Sequence, residues 1–114
     1  MGIVLAIGEL DESGCAKPIR VKGGGVNQFA MPYSAFEDEL LQVGLYHYFY
    51  TRCSDRTEPI VAQHPGVTDL SEHDVDVFKQ VRSTLAEPSC LVNWLCFWSD
   101  WALTNLSEPV ITNH

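Results

Sequence analysis

No CxxC pair and no zinc-type histidine spacing occurs in this chain; its four cysteines stand singly at 15, 53, 90 and 96. A structural zinc site is therefore not expected, and free, mostly buried thiols in a reducing compartment are. Basic residues are scarce: 7 Lys and Arg stand against 15 Asp and Glu, a formal charge of −8, and the basic residues form no cluster. A surface that tracks nucleic-acid phosphates or anionic lipid needs concentrated cations, so neither nucleic acid nor membrane is an expected partner. No apolar run reaches the span of about 20 residues that crosses a bilayer, because Asn93, Ser99 and Asp100 interrupt the most apolar stretch. The start, MGIVLAIGELDESG, has no basic leader before its apolar run. A cytoplasmic protein is the expectation. No GK[ST] follows the Gly23, Gly24, Gly25 run, which reads as a hinge or lid rather than a phosphate cradle.

What the chain does have is one long amphipathic stretch, Ser34 to Thr51. Ser34 stands three residues before Glu37, the spacing of a capping box, and Pro32 disfavours helix just ahead of it. Phe36, Leu40, Val43, His47 and Tyr50 recur at three- and four-residue steps, and Leu41, Leu45 and Tyr48 widen the stripe. The pattern predicts a continuous helix with these residues buried, Glu37, Asp38 and Glu39 in its first turn, and Arg52 just past its last. Its length would be roughly 26 Å.

The remaining elements are shorter. GIVLAIG, residues 2 to 8, predicts a mostly buried strand, and the turn formers ELDESG allow CAKPIRVK to fold back beside it, demoted to an edge by Pro18. A polar connector runs from Cys53 to Pro59, and Ile60 to Ala62 predicts a short strand before a His64, Pro65, Gly66 turn. Thr68 or Ser71 predicts the cap of a second helix, Ser71 with Asp74 three residues on, after which Val75, Phe78, Val81 and Leu85 mark a stripe that Pro88 ends. Ser89 predicts the cap of a third helix to about Asn105, with a buried strand over 90–97 as its competitor. Val110 and Ile111 suggest an edge strand. Together these elements predict a single α+β domain over 1–114, a small, mostly antiparallel sheet packed against two or three helices.

The aromatic load is the feature with functional content. Trp94, Trp98 and Trp101 fall on one face of the third helix, and Tyr46, His47 and Tyr50 crowd the end of the long stretch. A chain this short has little interior, so part of this surface is expected to meet a ligand or a second subunit. Those six residues are the candidate binding residues. No cofactor, metal or catalytic residue is assigned: the acids and imidazole at 69, 72, 73, 74 and 76 read as a solvated helix start. The leading expectation is a non-catalytic binding protein, a homo-oligomer that holds a small, partly apolar molecule. Two rivals remain, a small enzyme with His47 as acid/base, and an acidic inhibitor or nucleic-acid mimic presenting the carboxylates at 37–39 and 69–76.

Overall fold

β1 (Gly2–Leu10) is the strand on which the sheet is built. Its alternation sends Ile3, Leu5 and Ile7 into the core, while Gly2, Val4 and Ala6 face the other way. The computed structural model describes residues 2–19, 27–51 and 58–114. Over those residues the chain forms five strands and four helices, an α+β fold with a small curled antiparallel sheet. Strands β2 (Ala16–Pro18) and β3 (Gln28–Pro32) share one edge of β1; β5 (Pro109–Asn113) pairs along its other edge, and β4 (Gly66–Asp69) lies outside β5.

Gly8 faces Pro18 while Ala6 faces Gln28, so β2 ends and β3 begins on either side of Ile7 along the same edge of β1. β2 and β3 are thus one interrupted strand, and the Asn27 side-chain amide closes the interruption by donating to the Ile19 carbonyl. The predicted glycine loop at 23–25, the end of the 15–22 strand, Arg52 and the connector from Cys53 to 57 lie outside the described residues.

The long helix predicted over 34–51 is two helices. α1 (Tyr33–Val43) starts directly after Pro32 without a side-chain cap, so Ser34 does not cap it and Glu37, Asp38 and Glu39 sit beyond its first turn. Gly44, at φ +80°, then ends it: the Leu45 N–H donates to the Leu40 carbonyl at 2.8 Å and the Gly44 N–H to Leu41 at 3.3 Å. These paired bonds satisfy the last carbonyls of α1, with Leu40 and Leu45 in apolar contact range on the core side. The chain restarts as α2 (Tyr46–Tyr50) in a new direction, and the single stripe no longer holds. Leu41 and His47, predicted buried, are exposed.

The second and third predicted helices are present. In α3 (Glu72–Thr84) the Ser71 hydroxyl accepts from the Asp74 N–H and the Asp74 carboxylate accepts from the Ser71 N–H at 2.8 Å. α4 (Cys90–Asn105) is capped by Ser89, which accepts from the Val92 N–H at 3.2 Å, and length rather than composition separates it from a buried strand. Ile60 and Val61 are buried in a turn, not a strand; the Val61 N–H instead reaches the Phe49 carbonyl at 2.8 Å. The C-terminal strand is not an edge. β5 lies between β1 and β4, with Ile111 on the same buried side as Ile7. The core joins that sheet face to Phe36, Phe49, Phe78, Leu91, Leu95 and Trp98 of the helices.

Two glycines are held by different constraints, and their substitution separates the two. A β-carbon at Gly8 would lie 2.8 Å from the Lys17 carbonyl oxygen, a clash with backbone that cannot rotate away. At Gly44 nothing lies within 4 Å and only the backbone angle resists a side chain. Gly44→Ala is expected to cost about 1–2 kcal/mol of unfolding free energy. Gly8→Ala should cost about 1–3 kcal/mol and perturb β2 pairing, read as lost amide-exchange protection at Ala16 and Lys17 that Gly44→Ala does not produce.

Candidate functional site

The three tryptophans of α4 do not make a common exposed face. Trp94 is 8% and Trp98 4% exposed, and only Trp101 is half-buried. The reason is that α4 is covered on two sides, by α3 along its length and by β1 and β5 beneath. Trp94 packs on Phe29 of β3 with ring centroids 6.1 Å apart, and Trp98 meets Trp101 edge-on at 5.5 Å. At the other predicted cluster, Tyr46 and Tyr50 are half-buried with rings 5.0 Å apart, while His47 points out against the Tyr46 ring at 6.0 Å. The aromatic residue that α4 leaves in solvent is Phe97, 61% exposed and edge-on to Trp98 at 5.1 Å.

Phe97 stands in a groove between α3 and α4 of about 510 Å³, lined also by Lys79, Arg82, Asn93, Cys96 and Asp100. The two helices pack side by side across a short connection, and two side-chain pairs reach from α3 to α4. The Arg82 Nε–H donates to Asn93 Oδ1 at 2.9 Å, and Lys79 Nζ lies 3.4 Å from Asp100 Oδ1. Tethering through Nε to the Asn93 side chain orients the guanidinium and leaves its terminal nitrogens as further donors. The Lys79–Asp100 pair is exposed on both sides and contributes little to stability. Cys96 forms the floor. Burial pushes its thiol above the ordinary range, although Arg82 and Lys79 pull the other way, so it behaves as a packed apolar group rather than a nucleophile.

A second polar arrangement lies at the far end of the sheet. His64 Nδ1 and the buried Asn113 Oδ1 are 2.6 Å apart, and the Tyr33 ring meets the imidazole edge-on at 5.8 Å. If Nδ1 carries the proton, the pair leaves Nε2 as the open ring nitrogen. Sequence reasoning passed over His64 as part of a turn, because its partner is 49 residues away. Nearby, the Tyr50 hydroxyl is enclosed and has no hydrogen-bond partner among the described residues. Burial, then the Tyr33 hydroxyl, Glu37 and Tyr46, push its pKa far above the tyrosine range; the Tyr33 hydroxyl opposes ionisation without the geometry of a formed bond.

Asp74 belongs to the framework. It is fully buried, and besides the capping box it accepts from the Tyr48 hydroxyl, which ties α2 to the start of α3. Among the described residues no three His, Cys, Asp or Glu side chains gather closely enough to hold a metal ion. No helix among them is long and apolar enough to cross a membrane. Comparison with protein-family models, curated proteins and solved structures finds no match to this chain.

The enclosed hydroxyl and thiol give a pH dependence of definite sign. Tyr50 and Cys96 stay neutral in the fold, whereas in the unfolded chain a thiol ionises near pH ~8.5 and a phenol near ~10. The unfolded state then binds fewer protons, so this contribution is intact below about pH 8.5 and declines as the pH rises. In urea titrations, Tyr50→Phe should flatten the decline of the unfolding midpoint above about pH 10; a slope equal to that of the parent chain would show that Tyr50 ionises freely in the fold.

Proposed function

We propose that the chain is a non-catalytic binding protein whose recognition surface is the α3–α4 groove, and that its ligand carries an anionic group beside an apolar one. One observation carries the reading: in a chain of net charge −8, two of the three cations among the described residues, Lys79 and Arg82, flank an exposed phenylalanine at a concave surface. An exposed aromatic ring beside a tethered guanidinium suits a carboxylate attached to an apolar body. Trp98 then acts from behind as the buried ring against which Phe97 rests, and Trp101 packs on Trp98 towards solvent. Cys15, Cys90 and Cys96 are free thiols, which suits a reducing compartment such as the cytoplasm, although Cys15 and Cys90 are exposed and only Cys96 is buried, against the expectation of mostly buried thiols.

The small-enzyme reading, written for His47, is better supported at His64, because His64 has an orienting partner in Asn113. The acidic-mimic reading draws its carboxylates from two different helices, α1 and α3.

The groove is tested with 1-anilinonaphthalene-8-sulfonate, an anion joined to an aromatic body. It should bind with one saturable site and accept excitation energy from Trp98, whose ring touches Phe97. Phe97→Ala and Arg82→Gln should each weaken binding about tenfold, equivalent to 1.4 kcal/mol, with the melting temperature nearly unchanged. An affinity in both variants equal to that of the parent chain would overturn the assignment.

A further inference from the structure

We propose that the occupant of the α3–α4 groove is α1 of a second copy of this chain, docked through Leu41 and Asp38; this rests on the groove being the recognition surface. Leu41, Val67 and Phe97 are the exposed large hydrophobic side chains among the described residues, and two of them are framed by opposite charges. Leu41, 59% exposed, follows Asp38 by three positions and Glu37 by four, so all three share one side of α1. Phe97 is bordered by Lys79, Arg82 and Asp100; Asp100 pairs with Lys79, which leaves the charge of Arg82 as the surplus. Each surface thus offers an apolar side chain in a setting that complements the other and repels a copy of itself.

The dimensions agree. α1 has 11 residues, about 16 Å of helix, and the groove runs between helices of 13 and 16 residues, about 20 and 24 Å. A helix laid between two others uses the packing already present in the core. Gly44 supplies the necessary shape: by ending α1 and turning the chain, it leaves the exposed Leu41 in the last turn, with the exposed Asp38 one turn before it, instead of inside a continuous helix. The contact also answers the net charge. An acidic chain repels its copies at long range, and the groove, with Lys79 and Arg82 against Asp100, keeps a positive surplus where a carboxylate of the partner arrives.

Because the two surfaces differ, the contact is heterologous, and complementation tests it. By light scattering on the full chain at high concentration and low salt, the parent should self-associate. Leu41→Asp and Phe97→Ala should each be monomeric at the same concentration, since one loses the docking helix and the other the groove. Their equimolar mixture should regain a 1:1 complex, because Leu41→Asp keeps an intact groove and Phe97→Ala an intact α1. Association that survives Leu41→Asp, or a mixture that stays monomeric, overturns the proposal. If the parent is monomeric but binds 1-anilinonaphthalene-8-sulfonate in a Phe97-dependent way, the second copy is the wrong occupant and the groove stands; if neither occurs, both readings fall.

Discussion

The structure depends on burying α4. This helix is apolar nearly all round, and a helix of that kind has no stable place on the surface of a small domain. It must be enclosed, and the chain encloses it with the Ile3, Leu5 and Ile7 face of β1 below and α3 alongside. Other features follow from that demand. β5 is drawn into the middle of the sheet, where Ile111 extends the apolar floor, and the two ends of the chain become neighbours: Val4 and His114 exchange backbone hydrogen bonds at 2.8 and 3.0 Å. Enclosure on two sides still leaves a third. Phe97 lies on the side that neither covers, so the exposed aromatic of this protein is what remains after the tryptophans have been used as core.

Much of this was legible residue by residue, and the failures share a cause. The α+β class, the first strand and the starts of α3 and α4 were readable because each is written in local signals: a β-branched run, a Ser–Asp capping box, a serine before an apolar stretch. The long helix failed at one residue. Its stripe continues across Gly44, and periodicity does not report that a glycine inside it has taken a positive φ. That error placed Leu41 and His47 on the buried side. The position of β5 was unreadable for a different reason, since no local pattern says which strand a segment will pair with 100 residues away. The same holds for His64, whose partner comes from β5. The tryptophans were read as partly exposed because a helix's own sequence cannot say how many sides its neighbours will cover.

The polar groove and the apolar core are set by one register. Asp74, buried and bonded to Ser71 and to the Tyr48 hydroxyl, fixes where α3 begins and how it is rotated. From that origin Val75 and Phe78 turn inward, and Lys79 and Arg82, on the flank of the same helix, turn towards α4. On α4 the inward set of Leu91, Trp94, Leu95 and Trp98 leaves Asn93, Phe97 and Asp100 on the matching flank, spaced four and three apart. Asn93 and Asp100 receive the two cations, and Phe97 stands between them. The backbone positions of the groove are tied to the core: a shift of one position in α3 would carry Arg82 away from Asn93 and Val75 out of the interior together. A surface coupled to the core in this way is pre-organised, so a partner that docks on it spends little of its binding free energy on ordering the site.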